Sequence, residues 1–113
     1  MKNIKNHVQL IGRLGANPEV KILDNGSKLA RFNIAVTETY TSKNGEKVNN
    51  VQWHSIVAWG SLANIAERIL QKGVQVTIDG KLFNRNYINK SGLKQNSTEI
   101  IANELFVAFQ KAA

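Results

Sequence analysis

The chain has 113 residues and a mass of 12.6 kDa, with 42% hydrophobic residues, enough for one packed core and too little for two. Its 15 Lys and Arg against 8 Asp and Glu give a formal charge of +7 and a pI near 9.9, which favours a polyanionic partner, nucleic acid ahead of an anionic membrane surface. The absence of cysteine excludes disulfides and thiolate zinc sites, and no apolar run near the N-terminus suits a signal segment or a membrane span, so a cytoplasmic location with no membrane contact is expected.

Turn signals cut the chain into short apolar segments, the pattern of an all-β barrel or sandwich. Residues 7–14 alternate Val8 and Leu10 against Gln9, then reach Gly12 and Gly15, which suit the corner of a barrel strand. Pro18 breaks the ladder. Residues 19–23 read as a short continuation, ended at Asp24, Asn25 and Gly26 by a hairpin turn of the Asn-Gly type. The next strand, residues 28–40, puts Phe32, Ile34 and Val36 on one face and Arg31, Asn33 and Ala35 on the other.

A polar hairpin loop over residues 42–50 leads to a third strand over 51–59. Past Gly60 the period changes: Ser61 reads as an N-cap, Leu62, Ile65, Ala66 and Ile69 form one helical stripe, and Lys72 and Gly73 end it. Val76, Ile78, Gly80 and Leu82 mark a fourth strand, a second polar loop covers 89–95, and residues 98–109 form the last strand. This is the order of an OB barrel: a five-stranded Greek-key barrel with one helix between strands 3 and 4, whose face binds oligonucleotides. One domain is expected over residues 1–109, with 110–113 a short remnant.

Trp53 and Trp59 are six residues apart on one strand and share its parity, about 20 Å apart at ~3.3 Å per residue. Two readings stay open for them: core or interface packing, or two rings that stack different bases of one extended strand. Lys81, Phe83, Arg85 and Tyr87 alternate cations and rings on one parity, which suits phosphate neutralisation combined with stacking; a solvated basic edge strand is the alternative. Tyr40 has the parity of Phe32 and Ile34, so it is buried unless the strand overruns the barrel rim. Arg13, Arg31, Lys43, Lys47 and Lys72 are candidate phosphate contacts, although each alone is ordinary surface charge. His54 has opposite parity to the tryptophans and reads as a structural or subunit-contact residue.

Enzyme signatures are missing. No Walker-type loop occurs, no serine or histidine stands in a nucleophile setting, and the eight carboxylates are dispersed. His7 and His54 lack companions for a metal, so neither a metal nor a cofactor is expected.

Gly12, Arg13, Leu14, Gly15, Pro18 and Glu19, then Trp53, His54, Trp59, Gly60, Leu62 and Ala63, then Lys72, Gly73, Val76, Ile78, Gly80 and Leu82 together resemble bacterial single-stranded DNA-binding proteins. The match covers nearly the full length. The resemblance implies homotetramers of OB barrels that wrap single-stranded DNA in replication, recombination and repair, with stacking aromatics at Tyr40, Trp53, Trp59 and Tyr87. Tyr40 and Tyr87 stand where tryptophan is frequent in the family, and Ser55 where a basic residue is often seen. The family's flexible tail, with an acidic tip that recruits replication and repair partners, has no counterpart at Lys111, Ala112 and Ala113, so tail-mediated recruitment is not expected. An RNA-binding OB protein and an OB module serving only protein assembly are the rival functions.

Overall fold

The computed structural model describes residues 5–107. They form β1 (Val8–Leu14), β2 (Glu19–Ile22), β3 (Lys28–Thr41), β4 (Lys47–Trp59), α1 (Ser61–Ile69), β5 (Gln75–Ile88) and β6 (Lys94–Val107). Hydrogen bonding orders the strands β1-β5-β6-β4-β3-β2, and the end of β1 also pairs with β3 through Arg13↔Ala35 and Leu14↔Ile34. That extra pairing closes β1, β5, β6, β4 and β3 into a five-stranded barrel, the OB topology expected from the element order. The short segment after Pro18 is a strand of its own, β2, laid antiparallel on the outer edge of β3 from Glu19↔Arg31 to Ile22↔Lys28. The helix thus falls between the third and fourth barrel strands, β4 and β5.

Closure needs β1 to change partners, from β5 along Val8 to Arg13 to β3 at Arg13 and Leu14. Gly12 sits at this corner, where a Cβ would lie 2.7 Å from the Ala35 carbonyl oxygen. Any side chain there would push the two strands apart.

Period two then fills the barrel. Phe32 and Ile34, Ile56 and Ala58, Val76 and Ile78, Ile100 and Ala102 converge with Leu14, while Ala63 and Ala66 of α1 and the following Leu70 join the same cluster. The alanines let α1 lie close against β3, β4 and β6. Burial of each large aliphatic side chain contributes about 1.5–3 kcal/mol, so this single cluster is the main source of stability.

The helix ends differ from the expectation. Gly60, at φ 61°, is the N-cap and Ser61 the first helical residue, with no side-chain cap hydrogen bond. The Gly60 N–H donates to the Lys28 carbonyl oxygen at 2.9 Å, so the end of β4 is tied to β3 and the turn into the helix falls on the residue free to adopt positive φ. At the other end Leu70 is extended, at φ −95° and ψ 138°, which stops the helix at Ile69 rather than at Lys72. Lys72 and Gly73 occupy the next turn, closed by the Val74 N–H on the Gln71 carbonyl oxygen, with Gly73 at φ 87°.

One turn design joins β2 to β3, β3 to β4 and β5 to β6. In each, a first residue (Leu23, Ser42 or Asn89) accepts from a glycine three positions on (Gly26, Gly45 or Gly92) and donates to the residue after that glycine. Only the glycine has positive φ, so these are type I turns followed by a left-handed glycine, not the Asn-Gly turn expected at Asn25, which needs both central residues at positive φ. Pairing consequently continues out to Thr41↔Lys47 and Ile88↔Lys94, so the two expected polar loops are shorter than read: turns cover residues 42–46 and 89–93, while 47–50 and 94–95 already belong to the paired arms. Residues 108–109, expected to end the last strand, and the expected remnant at 110–113 lie outside the described residues.

Candidate nucleic-acid interface

Cross-strand pairing sets Leu29, Arg31, Asn33 and Ala35 of β3 opposite Trp59, Val57, Ser55 and Trp53 of β4. β6 runs parallel to β4 with Val57 opposite Ile101, and β5 follows with Lys81, Phe83, Arg85 and Tyr87 opposite Ile101, Glu99, Ser97 and Gln95. Side chains of one parity therefore form a continuous surface across four strands. It is hollowed by two depressions. One is bounded by Gly15, Asn17, Asn33, Trp53 and Ser55, the other by Lys21, Leu29, Trp59, Phe83 and Arg85. Glu19, Arg31 and Glu99 line both and mark their junction, so the two read as one groove.

Neither tryptophan belongs to the core: Trp53 is 60% exposed and Trp59 44%. Trp53 lies against the loop between β1 and β2, where ring carbons occupy the space a side chain at Gly15 would take. Trp59 lines the other end of the groove together with half-exposed Phe83. Exposed rings at two separated points of a groove offer π-faces that any base can stack on.

The junction is charged but balanced. Glu99, only 6% exposed, accepts a hydrogen bond from Arg31 Nη1 at 2.9 Å and has Arg85 Nη1 3.8 Å away. Both arginines remain about half exposed on top of this buried carboxylate. Beside them the Ser55 hydroxyl donates to Asn33 Oδ1 at 3.1 Å, a neutral polar pair between Trp53 and Arg31.

The other sequence candidates lie around this groove rather than in it. Tyr40 is 55% exposed because β3 does overrun the barrel, but it keeps the parity of Phe32 and Ile34 and so faces away from the tryptophan side of the strand. Tyr87 has the groove parity but sits out on the β5–β6 arm, in a separate dip with Asn86, Ile88, Lys94 and Asn96. Lys43 lies in the β3–β4 turn and Lys47 opens β4 opposite Thr41. Arg13, at the closing corner, donates to the Gly73 carbonyl oxygen at 3.0 Å and borders its own dip with Ile11 and Thr37. Lys72 stands in the turn after α1, its backbone N–H held by Asn17 Oδ1 at 2.8 Å. Lys81 shares the groove face opposite Ile101. His54 is half-buried, on the core-facing parity opposite Ile34.

Gly15, Glu19, Asn33 and Glu99 were not singled out as site residues by sequence reasoning. Asn33 could have been, since it shares a face with Arg31. Glu99 offered no local signal, because its arginine partner is 68 positions away. Among the described residues no group of His, Cys, Asp and Glu could hold a metal ion, and no helix is long and apolar enough to cross a membrane.

The model of the single-strand binding protein family matches residues 5–108. A single-stranded DNA-binding protein of Neisseria meningitidis serogroup A is 40% identical over 100 residues, a stretch that covers 88% of this chain and 58% of that relative. Single-stranded DNA-binding protein 1 of Xylella fastidiosa is 39% identical over 101 residues, covering 88% of this chain and 74% of its own. The chain thus spans less than two thirds of the Neisseria relative, and about three quarters of the Xylella one. Among solved structures, the Plasmodium falciparum SSB in complex with single-stranded DNA superposes with a TM-score of 0.87 at 30% identity, over 96% of this chain and 99% of that one.

Proposed function

Because the chain belongs to the single-strand binding protein family, whose model matches residues 5–108, we propose that it coats single-stranded DNA without reading its sequence, protecting it during replication, recombination and repair. One observation carries this reading: a closed barrel presents a groove with an exposed indole near each end, Trp53 and Trp59, and cationic side chains along its face. Stacking on such rings tolerates every base, and charge holds the backbone.

Within this reading Trp53, Trp59, Phe83, Arg31 and Arg85 contact DNA in the groove, and Lys81 meets it at the margin. Tyr40 and Lys43, with Lys47, meet it along the β3–β4 arm and Tyr87 along the β5–β6 arm, while Arg13 and Lys72 extend the path beyond the barrel corner. The 1–109 region acts as one DNA-binding domain without catalysis or cofactor, in the cytoplasm, assembled as a homotetramer. The titration of intrinsic tryptophan fluorescence with oligo-dT at several salt concentrations tests this. Quenching is expected, with a log–log salt slope of about −0.7 for each phosphate neutralised. Equal affinity for duplex and single strand, or no response to salt, would overturn it, and tighter binding of a matched RNA oligomer would favour the RNA-binding alternative.

A further inference from the structure

We propose that Arg31 and Arg85 act as stacking planes for bases, tethered by Glu99, and that phosphate neutralisation falls to the lysines around the groove. This deepens the single-strand reading and rests on it. Where the two depressions meet, Arg31, with Arg85 reaching in from the second depression, stands against the carboxylates Glu99 and Glu19, so these four groups together carry no net charge. A neutral patch gives a phosphate no reason to settle there. Lys21 borders the second depression and Lys81 lies on the same face, and neither is in an ion pair among the described residues, so available positive charge sits at the margins.

Burial fixes the partner of Arg31. Were a phosphate to draw its guanidinium away, Glu99 would be left as a buried carboxylate short of its hydrogen-bonded cation, a strongly unfavourable state. Arg31 therefore stays with Glu99 when DNA arrives. What it still offers is the exposed part of a planar, weakly hydrated guanidinium, a surface that stacks on π-systems. Its position suits that use: Arg31 pairs with Val57, which along β4 is ~13 Å from Trp53 and ~7 Å from Trp59 at ~3.3 Å per residue. The groove floor then presents rings and guanidinium planes in series, with bases turned inward over the junction and phosphates outward to the lysines.

The variants Arg31→Lys and Arg85→Lys keep the charge and the chance of an ion pair but remove the plane. With oligo-dT, each is expected to bind about three- to tenfold more weakly with an unchanged salt slope, the scale of one lost cation–π stack. Glu99→Gln, which frees Arg31 for phosphate, should steepen the slope by about 0.7, and Lys81→Gln should flatten it by about as much. Wild-type affinity in both lysine variants would show that charge alone matters and overturn the proposal. So would an unchanged slope in Glu99→Gln or in Lys81→Gln. Circular dichroism checks folding, and if Glu99→Gln fails to fold, the two half-exposed arginine positions still decide. Absence of oligo-dT binding by the wild-type chain would instead overturn the single-strand reading itself.

Discussion

A Cβ placed on Gly15 would stand 2.8 Å from two ring carbons of Trp53, so the loop between β1 and β2 serves as the bed on which the indole lies. One edge of the ring is fixed by backbone while its outer surface stays exposed. Gly15→Ala should displace the ring, which can swing because it is the end of an exposed side chain. Stability should therefore change by less than about 1 kcal/mol, while DNA binding weakens by about 1 kcal/mol, a part of one stack. Paired chemical denaturation and fluorescence titration measure the two effects; unaltered affinity would show that the ring position is irrelevant.

Trp53→Ala and Trp59→Ala should each cost about 1–3 kcal/mol of binding, the worth of a base–aromatic stack, and replacement by Phe should cost less. Both rings are exposed, so the variants should keep the wild-type circular dichroism spectrum and denaturation midpoint. Unfolding or subunit dissociation on either substitution would instead assign that ring to the core or to an interface.

Ile56 is wholly buried between Ile34-bearing β3 and Ile100-bearing β6, at the centre of the barrel. Ile56→Ala should lower the unfolding free energy by about 2–5 kcal/mol, the sum of lost transfer energy and an incompletely collapsed cavity. Denaturant unfolding with an unchanged slope and a lower midpoint is the expected result. A loss under about 1 kcal/mol would mean that the barrel collapses around the gap.

One barrel can engage only about 4–16 nucleotides. Coating long single strands therefore favours several grooves on one continuous path, and light scattering at micromolar concentration should report a tetramer. A monomer with intact DNA binding would remove that requirement.

Most of the barrel was legible because its signal is local. Phe32 and Ile34 against Arg31 and Asn33 is a two-residue alternation, and it correctly separated the core from the groove floor. The shared parity of Lys81, Phe83 and Arg85 held for the same reason. The two polar loops over residues 42–50 and 89–95 were placed correctly but drawn too long, because residues 47–50 and 94–95 are mostly polar and exposed, and alternation fades when neither face is buried. Ser61 looked like a cap, but the decisive constraint came from Lys28, whose carbonyl takes the Gly60 N–H across the sheet.

The groove was only half legible. Exposure of Trp53 and Trp59 could not be read from parity, since inward and outward faces alternate identically until closure chooses between them. The Arg31–Glu99 pair was beyond reach, because β3 and β6 are not hydrogen-bonded neighbours and meet there only across β4.

β3 and β4 stay paired from Leu29↔Trp59 at the barrel to Thr41↔Lys47 at the turn, yet apolar burial ends near Ile34. Backbone hydrogen bonds along this one ladder are chemically alike, but only those at the barrel end are backed by a core. Amide hydrogen exchange should accordingly grade along the strands: slow at Ile34 and Ile56, opening only with global unfolding, and progressively faster toward Thr39 and Asn49, where local fraying suffices. On the proposed DNA path, opening of the arm would leave the barrel beneath it closed, so that grip and fold would be separately adjustable within a single pair of strands.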